Sequence, residues 1–175
     1  MTNNDMAMTG NATNMSVGAP PPGEMSATPN DATGYDATGY LAKAGAGDLF
    51  EIESSRAILA KNPDKPVADF ANMMVDAHGQ STAKLKAAAE KAGLTVTPPA
   101  LDANQQAKLD AIKAAEGTAA TTAYLTAQRE AHAAALALHQ GYAANGDTPA
   151  LKAAAGEIAP VVQKHIDMLA KMPGA

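Results

Sequence analysis

From Tyr40 to about Lys61 apolar residues recur near the helical period, at Leu41, Ala44, Leu49, Ile52 and Leu59, and Pro63 closes the run. That spacing predicts a long first helix. Asp64 offers an acceptor to the free amides of the next turn, and Pro66 sits where a missing N–H costs little, so a second helix starts there. It carries Val67, Phe70, Met74, Ala77 and Leu85 on one stripe and ends at Gly93. The stretch from Leu94 to Gly117 reads as a connector: Pro98 and Pro99, then an N-cap at Asp102 and a short amphipathic helix through Leu109 and Ile112. A third long helix is predicted from about Thr118 to Ala144, and Asn145 to Pro149 supply a turn. A fourth reaches about Lys171, with Pro160 inside it removing one ladder bond and predicting a kink.

Four long helices, with short turns after the first and third and a longer middle connection holding one short helix, describe an all-α, antiparallel four-helix bundle. Composition strengthens this. The 175 residues include 43 Ala, and only 3% are aromatic. Ala is the strongest helix former, whereas a sheet would draw on β-branched and aromatic residues that are scarce here. The core must be Leu, Ile, Val, Met and Ala, with Ala letting helices approach closely.

The bundle is assigned to residues 39–173. Residues 1–38 are rich in Met, Asn, Thr, Gly and Pro, lack the apolar density that offsets ordering, and read as a disordered tail. Its end holds the repeat DATGY, Asp31 to Tyr35 and Asp36 to Tyr40, the second copy leading into the first helix. No run is long and apolar enough to span a membrane, and the N-terminus lacks the basic and apolar regions of a signal peptide. Read literally the chain is soluble and unexported. A polar leader before a helical domain equally fits the mature tether of an exported protein.

The charge of -5 belongs mostly to the tail, where Asp5, Glu24, Asp31 and Asp36 stand without a single Lys or Arg. From residue 41 onward 13 basic residues face 14 acidic ones, with no basic stripe for a phosphate backbone, so nucleic acid is excluded as a partner. A partner protein or a homo-oligomer stays open. The absence of Cys removes disulfides, thiolate metal sites and a Cys nucleophile. Ser54, Ser55 and Ser81 lie on helices without a glycine elbow, Gly45 and Gly47 follow no strand, and no phosphate loop is present, so an ordinary hydrolase or nucleotide enzyme is not expected.

What remains is imidazole and carboxylate. The four histidines, His78, His132, His139 and His165, all fall in predicted helices. Bundle metal sites gather side chains from several helices at one level. At a rise of 1.5 Å per residue, Glu51, His78 and His132 fall within roughly 6 Å of one another along the axis, whereas His165 misses that level by roughly 6 to 9 Å unless a kink at Pro160 intervenes. His139, seven residues beyond His132, is two turns away and too far to share its ion. Val75 and Val162 stand where a di-iron Glu-x-x-His motif would place Glu, which argues against a ferroxidase centre and a redox enzyme. The reading is a mononuclear site for a divalent transition metal (Fe, Zn, Cu or Mn) on Glu51, His78, His132 and His165, flanked by Glu53, Asp76 and Glu130. It points to binding rather than catalysis. The alternative is a metal-free structural or interaction protein in which Glu51 and the histidines form a buried polar network. In the tail, Met6 and Met8 form an M-x-M pair that could take Cu(I), weighed against a tail without a role; Met73, Met74, Met168 and Met172 read as core.

The segments DLFEIESSRAILAK (48–61), VADFANMMVDAH (67–78), AYLTAQREAHAAALALHQGYAANGDTPALKAAA (123–155) and IAPVVQKHIDMLAKM (158–172) resemble the bacterial DUF4142 family, exported ferritin-like four-helix proteins of unassigned function. The resemblance runs over about 41–172. It implies a ferritin-like fold, a periplasmic or envelope location and a link to stress responses, and it matches Glu51, Glu53, His78, Tyr124, His132, Pro160 and His165 to the family pattern. Tyr124 thereby joins the residues that would support the ligands. Two departures stand out: the family's Asp beside His78 is Ala77 here, with Asp76 one step earlier, and a Phe-Asp pair one turn before Tyr124 is replaced by Ala120 and Thr121.

Overall fold

The structure is a computed structural model, and it describes residues 36–172. These form five helices and no strand: α1 (Ala37–Leu59), α2 (Lys65–Lys91), α3 (Ala103–Ala114), α4 (Gly117–Asn145) and α5 (Pro149–Leu169). The first DATGY copy and the Met-containing tail lie outside the described residues. The second copy begins α1, with the Asp36 carboxylate accepting from the Gly39 amide at 2.8 Å. The helix therefore starts at Ala37, three residues before the predicted Tyr40. Asp64 does occupy the N-cap of α2, but its side chain makes no cap hydrogen bond; its carbonyl accepts from Val67 and Ala68 instead. Asp102 caps α3 in full, exchanging bonds with Gln105 in both directions. No described helix is long and apolar enough to cross a membrane.

α1 packs on α2 and α4, and α5 on α4 and α2, so the four long helices close a ring; α3 lies against α1 and α4. Three residues join α4 to α5, which forces the pair to run antiparallel. Gly146 is needed in that turn, because a Cβ there would lie 2.5 Å from the Tyr142 ring. α5 continues unbroken through Pro160. Pro160 stands on the exposed side, and the carbonyl it leaves without a donor belongs to exposed Gly156, where water can satisfy it.

Two apolar clusters fill the ring. One gathers Phe50, Ile58, Phe70, Met74, Ile112, Tyr124, Leu125 and Leu169; the other gathers Tyr40, Leu41, Leu85, Tyr142, Leu151, Ile158 and Val162. Along every long helix the buried polar residues fall largely between the two: Asp48 and Glu51 on α1, His78 and Ser81 on α2, Gln128, His132 and His139 on α4, His165 on α5. The core is therefore interrupted by a band of polar residues between the two clusters. The predicted face of α1 is rotated accordingly. Leu49, Ile52 and Leu59 are only half-buried, while Asp48, Glu51, Ser54 and Ser55 point inward. Burying such groups costs roughly 1–3 kcal/mol each unless they find partners; most of the layer is bonded internally, but Glu51 Oε2, His78 Nε2, Ser81 Oγ and Gln128 Oε1 have no partner among the described residues.

Gly79, exposed on the outer face of α2, meets no atom within 4 Å of an added Cβ. Gly79→Ala is expected to stabilise the fold by about 0.5–1 kcal/mol through helix propensity, raising Tm by about 2–4 °C. An unchanged or lower melting point would contradict the packing described for this face.

Candidate metal centre

Each histidine of the polar layer is oriented by a partner on its far side or by a neighbouring ring. His78 Nδ1 lies 2.8 Å from Asp48 Oδ1, whose other oxygen accepts from Thr82 at 3.0 Å. His132 Nδ1 donates to the Gln128 carbonyl at 2.9 Å, with Glu51 Oε1 3.3 Å from the same nitrogen. These bonds leave the Nε2 atoms of both rings turned to the interior. His132 Nε2 meets His165 Nδ1 at 3.3 Å, and buried His78 Nε2 has no hydrogen-bond partner. The three ring centroids stand 5.3 to 5.9 Å apart, and one ring nitrogen from each histidine falls within 4.8 Å of the others.

The electrostatics favour a cation here. Burial and the nearby His78 hold His132 near pKa 3, and burial with His78 holds His165 near 4, so both rings are neutral and have lone pairs at pH 7. Burial alone would lower His78, but the Asp48 hydrogen bond and the charges of Glu51 and Asp48 overcome it and raise its pKa. Burial pushes Glu51 up to about 7 against the pull of His78 and Gln128. The raised pKa favours a proton on His78 beside the Asp48 and Glu51 side chains. A divalent ion on Nε2 of His78 would take the place of that proton and satisfy the unpaired nitrogen.

The donor set fits such an ion. With metal–nitrogen bonds of about 2.0–2.1 Å, tetrahedrally placed ligands are about 3.3 Å apart. The His132–His165 separation equals that edge. Three buried imidazoles suit Zn, Cu, Fe or Ni, and the Asp48–His78 and Gln128–His132 hydrogen bonds would fix ligand orientation from behind.

Among the sequence-predicted residues, His78, His132 and His165 are brought together. His165 lies nearer their level than the count along α5 suggests. Measured from the α4–α5 turn, His132 is 13 residues before Asn145 and His165 is 16 after Pro149, an offset of about 4.5 Å that an imidazole spans. Glu51 is buried beside the cluster, but its contact is with the Nδ1 side of His132, behind the ring. Glu53, Asp76 and Glu130 are not brought to the layer: Glu53 pairs with Arg56, Glu130 with Lys108, and Asp76 is exposed on a face of α2 turned away from it. Their positions on the helices turn them outward. Tyr124 is buried and bonds Ser55 at 2.8 Å, one step removed from the histidines. His139 is separate, its Nδ1 2.8 Å from the Tyr40 hydroxyl.

Sequence reasoning missed Asp48, Thr82 and Gln128. The signal was present: they sit three or four residues from Glu51, His78 and His132, hence on the same helix faces. Asp48 also bears on the departure at Ala77, because the carboxylate that holds His78 comes from α1.

The chain matches the family described as a domain of unknown function, DUF4142, over residues 21–172, and it belongs to that family. No curated protein and no solved structure matches it.

Proposed function

We propose that the protein is a ferritin-like four-helix bundle that binds one divalent transition metal ion through His78, His132 and His165 and serves metal handling or stress protection in the bacterial envelope. The observation that carries metal binding is the unpartnered, buried His78 Nε2, facing two neutral imidazoles with Asp48 and Glu51 behind the rings. The ring of four long helices, each touching two neighbours, supports the bundle reading. The envelope and stress roles rest on the family resemblance. Fe, Zn, Cu and Mn are the candidate ions, and no reaction is assigned.

The competing reading, a metal-free polar network, draws on the Gln128–Ser54 and Ser55–Tyr124 bonds, which stabilise the layer without any ion. Melting separates the two. Zn(II) or Co(II) at about 1,000 times Kd is expected to add about 4 kcal/mol and to raise Tm reversibly with EDTA; identical melting with metal and with EDTA supports the network alone. Asp48→Asn, which keeps the shape but removes the charge behind His78, is expected to weaken metal binding about 10- to 100-fold in a chelator competition titration. Unchanged affinity would remove Asp48 from the site.

A further inference from the structure

Beside the histidine cluster, α1, α4 and the start of α3 line a pocket of about 570 Å³ that opens to solvent past exposed Ala42, Asn104 and Glu130. A pocket of this size is that of a small-molecule site. It exists because its walls carry Ala44, Ala46, Gly47, Ala131 and Ala135 where larger residues would fill it. A Cβ added at Gly47 meets nothing within 4 Å.

His139, 3% exposed, also lines the cavity. Its Nδ1 accepts from the Tyr40 hydroxyl at 2.8 Å, and Tyr40 is held by stacking on Tyr142 with centroids 3.8 Å apart. Burial pushes His139 down to about 4, so the ring is neutral; the fully buried Tyr40 hydroxyl has no acceptor other than Nδ1 among the described residues and must donate to it, which leaves the ring hydrogen on Nε2. The same cavity is bordered by the Asp48 and Glu51 carboxylates and by His78. The lining carries both signs, the Asp48 and Glu51 carboxylates against the Lys43 and Lys108 ammonium groups, so neither an anion nor a cation is favoured. Lys108 at the rim is already engaged by Glu130 at 2.6 Å.

We propose that this cavity is a binding pocket for a small uncharged organic molecule with a hydrogen-bond acceptor of the carbonyl type, anchored by His139 Nε2–H and enclosed by the alanine walls. The pocket shares His78 with the three-histidine cluster and does not require a metal there.

The test is titration of the full chain, with and without EDTA, by acetophenone, benzoate and benzylamine, followed by calorimetry and by the ring ¹H–¹⁵N signals of the histidines. Acetophenone is expected to saturate in both conditions and to shift the His139 signals, with the other two probes weaker. Gly47→Leu and Ala135→Phe, which fill the space, are each expected to weaken it at least about tenfold, and His139→Phe to weaken it by a similar factor through loss of the donor. Should Ala135→Phe not fold, Gly47→Leu decides, since its side chain enters open space on a helix that gains from losing a glycine. No saturable binding of acetophenone, tighter binding of benzoate or benzylamine, or wild-type affinity in folded Gly47→Leu would overturn the proposal. Because the EDTA arm contains no metal, none of these outcomes depends on whether the histidine cluster binds one.

Discussion

His132→Ala is expected to lower the affinity for Zn(II) or Co(II) by about 100-fold, read by competition with a chromophoric chelator. Structural zinc sites with four ligands are worth about 10–16 kcal/mol, or roughly 3 kcal/mol per ligand, which corresponds to a factor of about 100. His132 is the most buried ring of the proposed site: it lies against both His78 and His165, and its Nε2 lies 3.3 Å from His165 Nδ1. His165→Ala is expected to give a comparable loss and guards against the chance that His132→Ala, which empties a fully buried position, destabilises the helices instead. His139→Gln should stay within about threefold of wild type, since its ring bonds Tyr40 and lies outside the cluster. Equal affinities across wild type and both cluster variants would contradict the assigned ligands.

The second large effect is on stability in acid. In chelator-treated protein, His132, His139 and His165 have folded pKa values near 3, 4 and 4 because burial disfavours their charged forms, against about 6.5 in the unfolded chain. As pH falls below 6.5 the unfolded state takes up three protons that the folded state refuses, so stability drops until the folded values are reached. Glu51 acts in the opposite sense. Burial lifts it to about 7, so the fold gains its proton before the unfolded chain does, and stability rises as pH falls from 7 toward the ordinary carboxylate range. His78, raised by its carboxylate neighbours, keeps its proton in the fold throughout this window. Three histidines against one carboxylate leave a net uptake of about two protons on unfolding near pH 5, or a loss of ~2 kcal/mol per pH unit after allowance for solvent near the rings. Urea unfolding between pH 6.5 and 4.5 measures it. A flat profile, or greater stability at pH 4.5, would show that the histidine layer is not buried as described.

Much of the fold is legible in the chain. Pro63, Pro66, Asp102, Gly93 and the Asn145–Pro149 turn set the helix bounds, because caps and breakers act locally and need no knowledge of the fold. The facing of α1 is not legible. Its apolar residues and its inward residues lie on different stripes, and only contact with α2 and α4 shows that Asp48, Ser54 and Ser55 have partners that offset their burial. Axial counting brings His78 and His132 to one level, since the rise per residue is fixed. It cannot say which carboxylates turn outward, because that depends on rotation about each axis. Glu53, Asp76 and Glu130 are at suitable heights on the wrong faces, while Asp48 goes unremarked on the right one. The cavity is still further from view: it is made by what Ala and Gly leave unfilled between helices.

The central claim is that three imidazoles from three helices share one ion. X-ray absorption fine structure on protein loaded with Co(II) or Zn(II), with metal content measured on the same sample, tests it most directly. One ion per chain is expected, with three histidine nitrogens at about 2.0–2.1 Å, and that signal should disappear when His78, His132 and His165 are all replaced by Ala. Substoichiometric metal in an oxygen-only shell, or an unchanged spectrum in the triple variant, would contradict it.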